Sequence, residues 1–304
     1  MTAIRHLTAW ARAALATVAF FALAGSWASG QTDEERPEWN QPAPAFRILG
    51  NIHYVGTNEL AAYLLTTPEG HILIDGGLPE SAPLIEASIR KLGFKVEDVK
   101  ILLTTQAHFD HVGSLAELAQ KTGGRVMVMA GDAELVEKGG HGDYLFGDTM
   151  AFPPAKVGEV LHDGSTITLG GTTLVAHLTP GHTKGCTTWT TTVREDGLTY
   201  AVVFPGSGSV NPGTRLVKNP SYPGIRADYE KTFRVLAAMH PDVFLGAHAG
   251  FFGLDDKRAA LAAGKTPNPF IDPAGFQALV KRQSERFHEA VVKETTGSVP
   301  ASGQ

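Results

Sequence analysis

The sequence predicts an α/β protein arranged as an αββα sandwich, two mixed β-sheets packed face to face with helices on the outer faces. Three observations point there. Short apolar runs bounded by Gly, Asn and Pro open each half of the chain. Segments of helical periodicity follow them in both halves, so each half supplies strands first and helices around them. No short repeat is present, which excludes a solenoid.

In chain order, strands are expected at 46–54, 61–67 and 71–75, then an amphipathic helix at 81–92 that Gly93 ends. A buried strand at 100–104 precedes a helix at 114–121 closed by Gly123-Gly124. A strand at 126–130 and a short helix at 132–138 complete the first half. The second half should place strands at 159–162, 173–178, 187–193 and 200–204, then a long loop at 205–224 rich in glycine and proline. A helix at 227–239, a strand at 243–246 and helices at 255–263 and 273–293 close the chain. The expected organisation is a cleaved signal peptide at 1–30, an extended polar, proline-rich arm at 31–45, one domain at 46–294 and a flexible tail at 295–304.

The signal is read from three regions in order. Arg5, His6 and Arg12 precede the apolar stretch 13–24, and small residues at Ser26, Ala28 and Gly30 offer cleavage sites. The stretch is short for a membrane span, so export is expected, to the periplasm in a Gram-negative host. Hydrophobic residues make up 43% and charged residues 19%, a globular balance. The net charge of -5, with no dense run of Lys and Arg, argues against a nucleic-acid partner. The lone Cys186 cannot form an internal disulfide, so core packing, with or without metal, must hold the fold. No heptads or large interface signals are visible, and a monomer is expected.

The most informative stretch is Thr105-Gln106-Ala107-His108-Phe109-Asp110-His111, on a turn between a strand and a helix. Such a turn lets neighbouring side chains enter one cavity. Burying His108, Asp110 and His111 together would be costly without a metal, and nitrogen and carboxylate donors suit zinc. His182 and His248 each sit at a strand end beside glycines that allow close backbone approach. His53, His71, His162, His177, His240 and His288 lack that setting and read as surface or structural, as does His141 on a glycine-rich loop.

These motifs resemble the metallo-β-lactamase superfamily, from Gly56-Thr57-Asn58 to His248, and most closely class B β-lactamases of the third subclass. The likeness rests on Leu73-Ile74-Asp75-Gly76-Gly77, the 106–111 motif and Gly181-His182-Thr183. It rests also on Phe146-Gly147-Asp148 with Pro153-Pro154, Gly185-Cys186-Thr187-Thr188-Trp189 and Asn219-Pro220-Ser221-Tyr222-Pro223. Gln106 stands where the common motif has histidine, as in a glutamine-bearing minority of that subclass. The resemblance implies one or two zinc ions, one held by Gln106, His108 and His182 and the other by Asp110, His111 and His248. Gln106 either ligates through its amide oxygen or only hydrogen-bonds nearby; on both readings the first site is the weaker.

The loop after 200–204 carries Ser207 and Ser209 in place of the bridging carboxylate or cysteine of other relatives. The resemblance assigns both serines to a substrate carboxylate; fitting a tight glycine-rich turn is the alternative for each. Asp75 is expected to orient a metal ligand from behind, or else to cap a turn. Cys186 reads as a small buried hydrophobe. The implied function is a zinc-dependent β-lactamase that confers resistance to β-lactam antibiotics. Zinc lowers the pKa of bound water to about 7, so metal-bound hydroxide would open the lactam amide with Asp110 positioning it and no acyl-serine. The loop 211–214 is a candidate for steadying the oxyanion. A lactonase or thioesterase of the same fold is the alternative, and a non-catalytic zinc-binding protein is disfavoured because structural sites are closed by four protein ligands.

Overall fold

The computed structural model describes residues 39–297. The expected signal peptide, residues 31–38 of the arm and residues 298–304 of the tail lie outside the described residues. No helix among the described residues is long and apolar enough to cross a membrane.

Seven strands lie side by side in chain order in the first sheet. They are β1 (Phe46–Leu49), β2 (Ile52–Tyr54), β3 (Tyr63–Thr67), β4 (Gly70–Ile74), β5 (Val99–Leu103), β6 (Arg125–Met129) and β7 (Glu159–Leu161). Pairing is antiparallel from β1 to β4 and parallel from β4 to β7. The crossovers carry α1 (Ala82–Lys91), α2 (Phe109–Val112), α3 (Leu115–Thr122) and α4 (Ala130–Glu137). The second sheet contains β8 (Thr166–Leu169), β9 (Thr172–Leu178), β10 (Thr187–Glu195), β11 (Leu198–Phe204) and β12 (Val243–Phe244), ordered β12-β11-β10-β9-β8. Only β11 and β12 run parallel in it, so both sheets are mixed. α5 (Ile225–Ala237) joins β11 to β12, and α6 (Ala249–Phe252), α7 (Leu254–Ala262) and α8 (Pro273–Thr296) end the described chain.

Strand register explains the layers. Leu65, Ile72 and Ile101 stand on one line across β3, β4 and β5, and Leu64, Leu73 and Leu102 on the next. Because side chains alternate, the two lines face opposite sides. The first meets Leu174, Ala176 and Trp189 of the other sheet, in a core that extends to α5 and α8. The second packs on Ile85 and Ile89 of α1 and Leu115 and Leu118 of α3. Burial on both faces is why these strands read as unbroken apolar runs.

Two strand regions differ from expectation, and the short helices α2 and α6 were not expected. The run 46–54 is a hairpin, turned at Gly50, whose φ of +53 breaks the strand. β8 was not foreseen; it pairs with β9 around Gly170-Gly171, whose φ values of +51 and +85 suit the two-residue turn that follows strand twist.

α8 is capped by Asp272, whose Oδ1 accepts from the Gly275 N–H at 2.8 Å while Oδ2 pairs with Lys257 at 2.8 Å. Burial alone would raise the Asp272 pKa, but Lys257 and the Gly275 N–H outweigh it and hold the carboxyl below its ordinary value. Asp272→Ala should lower unfolding free energy by about 1–2 kcal/mol in urea titration. A depressed folded value means the charge contribution is present above the unfolded pKa of about 3.9 and fades as pH falls through the folded value. The substitution should therefore cost less at about pH 3 than at about pH 7; equal cost would remove the charge from the explanation.

Candidate metal centre

The site forms where loops leave β5, β9 and β12 on one edge of the sandwich. After β5 the backbone turns, and His108 and Asp110 flank the start of α2. His182 follows β9 on a loop whose Gly181 adopts φ +128 against the Tyr229 ring; a Cβ there would lie 2.7 Å from the ring, so only glycine fits. His248 precedes α6.

Two donor groups result. In the first, His108 Nδ1 lies 3.1 Å from His182 Nε2. His182 Nδ1 donates to the Ser209 carbonyl at 2.8 Å, which leaves Nε2 free of a proton. His108 Nε2 lies 3.6 Å from Asp143 Oδ2, and neither atom has a hydrogen-bond partner among the described residues. The His182 Nε2 lone pair and His108 Nδ1 thus face one place. Gln106 is 2% exposed, and its Oε1 is buried without a hydrogen-bond partner. Burial, with His108 alongside, pushes the His182 pKa down to about 3, so its imidazole is neutral at physiological pH.

The second group is Asp110, His111 and His248, whose donor atoms all lie within 4.8 Å of one another. Asp110 Oδ2 is 3.5 Å from His111 Nε2 and 3.4 Å from His248 Nε2. Burial would raise the Asp110 pKa, but the two histidines hold it well below the usual carboxylate range. Burial would lower His111, yet Asp110 and Asp75 push it up to about 10. A metal arriving here therefore has a proton to displace.

Asp75 sits behind His111, 3.2 Å from Nδ1, and also accepts from the Thr105 N–H and hydroxyl, each at 2.7 Å. Its φ of +63 is unusual for a non-glycine residue and marks a strained position held by these bonds. Asp75→Asn is expected to weaken metal binding about 10- to 100-fold in chelator competition, with the fold retained by circular dichroism. Unchanged affinity would reduce Asp75 to a turn residue.

Ser207 and Ser209 line the same cleft, of about 760 Å³, with their hydroxyls 2.8 Å apart. Ser209 contributes its carbonyl to His182 as well, a role the sequence did not reveal. Of the loop 211–214, Asn211 and Pro212 reach the cleft. Cys186 lies buried under the serine loop and its Sγ accepts from the Ser207 N–H at 3.1 Å; burial pushes the thiol up to about 12, so it stays protonated. His53 and His71 flank Phe94, and His141 pairs with Asp148, all away from the donor groups.

Two carboxylates were missed. Asp132, 1% exposed, accepts from the Ala107 N–H at 3.0 Å, the Thr183 hydroxyl at 2.6 Å and the Gly185 N–H at 2.7 Å. It ties the His108 turn to the His182 loop. Asp143 turns toward His108 from a loop that itself gives no local signal. Aromatic walls also escaped notice: Trp39 and Phe251 pack on His248 with ring centroids at 5.4 and 5.2 Å, and Phe146 on His108 at 5.1 Å.

Comparison with known proteins agrees with this geometry. Residues 60–248, more than half of the chain, match the family model "Metallo-beta-lactamase superfamily". The native FEZ-1 metallo-beta-lactamase from Legionella gormanii superposes with a TM-score of 0.83 at 46% identity, over 84% of this chain and 98% of that one. BJP-1, a subclass B3 metallo-beta-lactamase of Bradyrhizobium japonicum, gives 0.81 at 40% identity, over 86% and 98%. A curated hydroxyacylglutathione hydrolase of Rhodopseudomonas palustris is 32% identical over 124 residues, 40% of this chain. The match spans only 39% of that relative's length. By family match, sheet order and paired donor groups, the chain belongs to the metallo-β-lactamase superfamily.

Proposed function

We propose that this protein is a zinc-dependent β-lactamase, exported by its leader and acting as a monomer on small β-lactams, and that it confers resistance to them. The carrying observation is that the two donor groups share one cleft with Ser207 and Ser209. Likeness to subclass B3 enzymes over nearly their whole length supports the choice of reaction.

The residues fit zinc. The buried Gln106 Oε1, without a hydrogen-bond partner among the described residues, the His111 Nε2 that faces Asp110, and the adjacent ring nitrogens of His108 and His182 are donors of the types that zinc takes. Gln106, His108 and His182 would hold one ion, and Asp110, His111 and His248 the other. When bound, zinc supplies Lewis-acid charge that activates water near neutral pH and polarises a carbonyl.

The chain's own groups do the rest. Asp110, ionised and fixed between two imidazoles, accepts a hydrogen bond from the attacking water and aims it. The hydroxyls of Ser207 and Ser209 donate to the carboxylate that β-lactams carry beside the scissile amide. Their mutual bond pre-sets the rotamers, so less freedom is lost on binding. Trp39, Phe146 and Phe251 supply apolar walls to the cleft and limit its water.

The test is hydrolysis by purified mature protein of known zinc content. A penicillin, a cephalosporin and a carbapenem are compared with a lactone and a thioester. Lactam turnover should disappear with a chelator and return with zinc. Turnover of the thioester alone would transfer the assignment to the hydroxyacylglutathione hydrolase type.

A further inference from the structure

A second cavity, of about 1240 Å³, lies between the loop that follows Ser209 and the exposed side of α8. It adjoins the metal cleft, because Ser209, Asn211, Pro212, Gly250 and Phe251 line both. Its charge is one-sided. Arg215 and Lys218 come from the loop, and Arg282, Arg286 and Lys293 from α8. Among the described residues, the only carboxylate in the wall is Glu294, which accepts from the Leu216 and Val217 N–H groups at 2.6 and 3.0 Å and so pins the loop to the helix. None of the five cations makes an ion pair among the described residues.

Nothing among the described residues neutralises these exposed cations. Arg282 and Arg286 are four residues apart on one helix face, where like charges repel. Lys218 is held at φ +54, a conformation that a lysine seldom adopts. The protein as a whole carries a net charge of -5, so the basic wall runs against the overall balance. Cations around a concavity focus a positive field inside it. Arginine forks match the geometry of tetrahedral and planar oxyanions.

We infer that this cavity is an anion-binding site for an oxyanion carrying two or more negative charges. The shared chemistry comes from two sources, a free phosphate ester or a second acidic group borne by the substrate.

The experiment compares the zinc-loaded protein with the double variant Arg282→Gln/Arg286→Gln. Glutamine is a sound helix former, and both side chains are exposed, so folding should persist. Inorganic phosphate binding is followed by 31P line broadening and by calorimetry at constant ionic strength. Saturable binding should weaken at least tenfold in the variant, and weaken in the parent as salt rises. A second arm measures KM for a doubly and a singly charged lactam. If the substrate supplies the anion, the variant raises KM for the former alone; if a free ester supplies it, the KM ratio stays constant while phosphate binding is still lost. Absence of saturable phosphate binding, or binding of equal strength in the variant, as expected for phosphate held at the metal centre, overturns the inference. The phosphate readout is independent of which bond the metal centre cleaves.

Discussion

Asp110→Asn should lower kcat/KM for a penicillin by about 10³-fold or more, which corresponds to about 4 kcal/mol of lost transition-state stabilisation. Asparagine keeps the size of the side chain and removes its charge. At this position charge has two uses. It balances the imidazoles of His111 and His248, 3.5 and 3.4 Å away, and in the proposed reaction it orients the water. A neutral amide oxygen is a poorer zinc donor, and the amide NH₂ would point a donor at an imidazole or at the nucleophile. Metal analysis should show loss of the ion held with His111 and His248, and the effect should fall mainly on kcat. Activity within tenfold of the parent, with both ions present, would remove Asp110 from the reaction.

The legible part of the site was the part encoded locally. Gln106, His108, Asp110 and His111 fall on one turn, and apolar β5 announced where that turn begins. His182 and His248 could be picked from twelve histidines because each follows an apolar strand beside glycine. Asp132 carried no such mark. Its partners lie 25, 51 and 53 residues away, so only the fold shows that it joins the His108 turn to the His182 loop. β8 was overlooked although Thr166-Ile167-Thr168-Leu169 alternates polar and apolar as a half-buried strand does and Gly170-Gly171 is a hairpin signal. The basic cavity was invisible for a third reason. Arg215, Lys218, Arg282, Arg286 and Lys293 are widely spaced along the chain and look like ordinary solvated charge. Helical periodicity places three of them on one side of α8, and Glu294 brings the other two against it.

Gln106→His should tighten binding of the first zinc by at least tenfold, or about 1.4 kcal/mol. In the parent, the donors offered to that ion are two imidazoles and one amide oxygen. The amide oxygen is neutral and less basic than an imidazole nitrogen, whereas the second site contains a carboxylate held well below its ordinary pKa. Titration with a chromophoric chelator should therefore show two unequal sites in the parent, and sites of closer affinity in the variant. The position can accept the change because Gln106 lines the same cleft as His108 and His182. Its oxygen gives up no hydrogen bond to the described residues when it is replaced. The comparison also separates the two readings of Gln106. A side chain that ligates weakly makes Gln106→Ala bind the first zinc less tightly than the parent, whereas a bystander leaves it unchanged. Equal affinities at both sites in the parent would defeat the expectation at its source, since the gain requires the amide to be the poorest donor of the set.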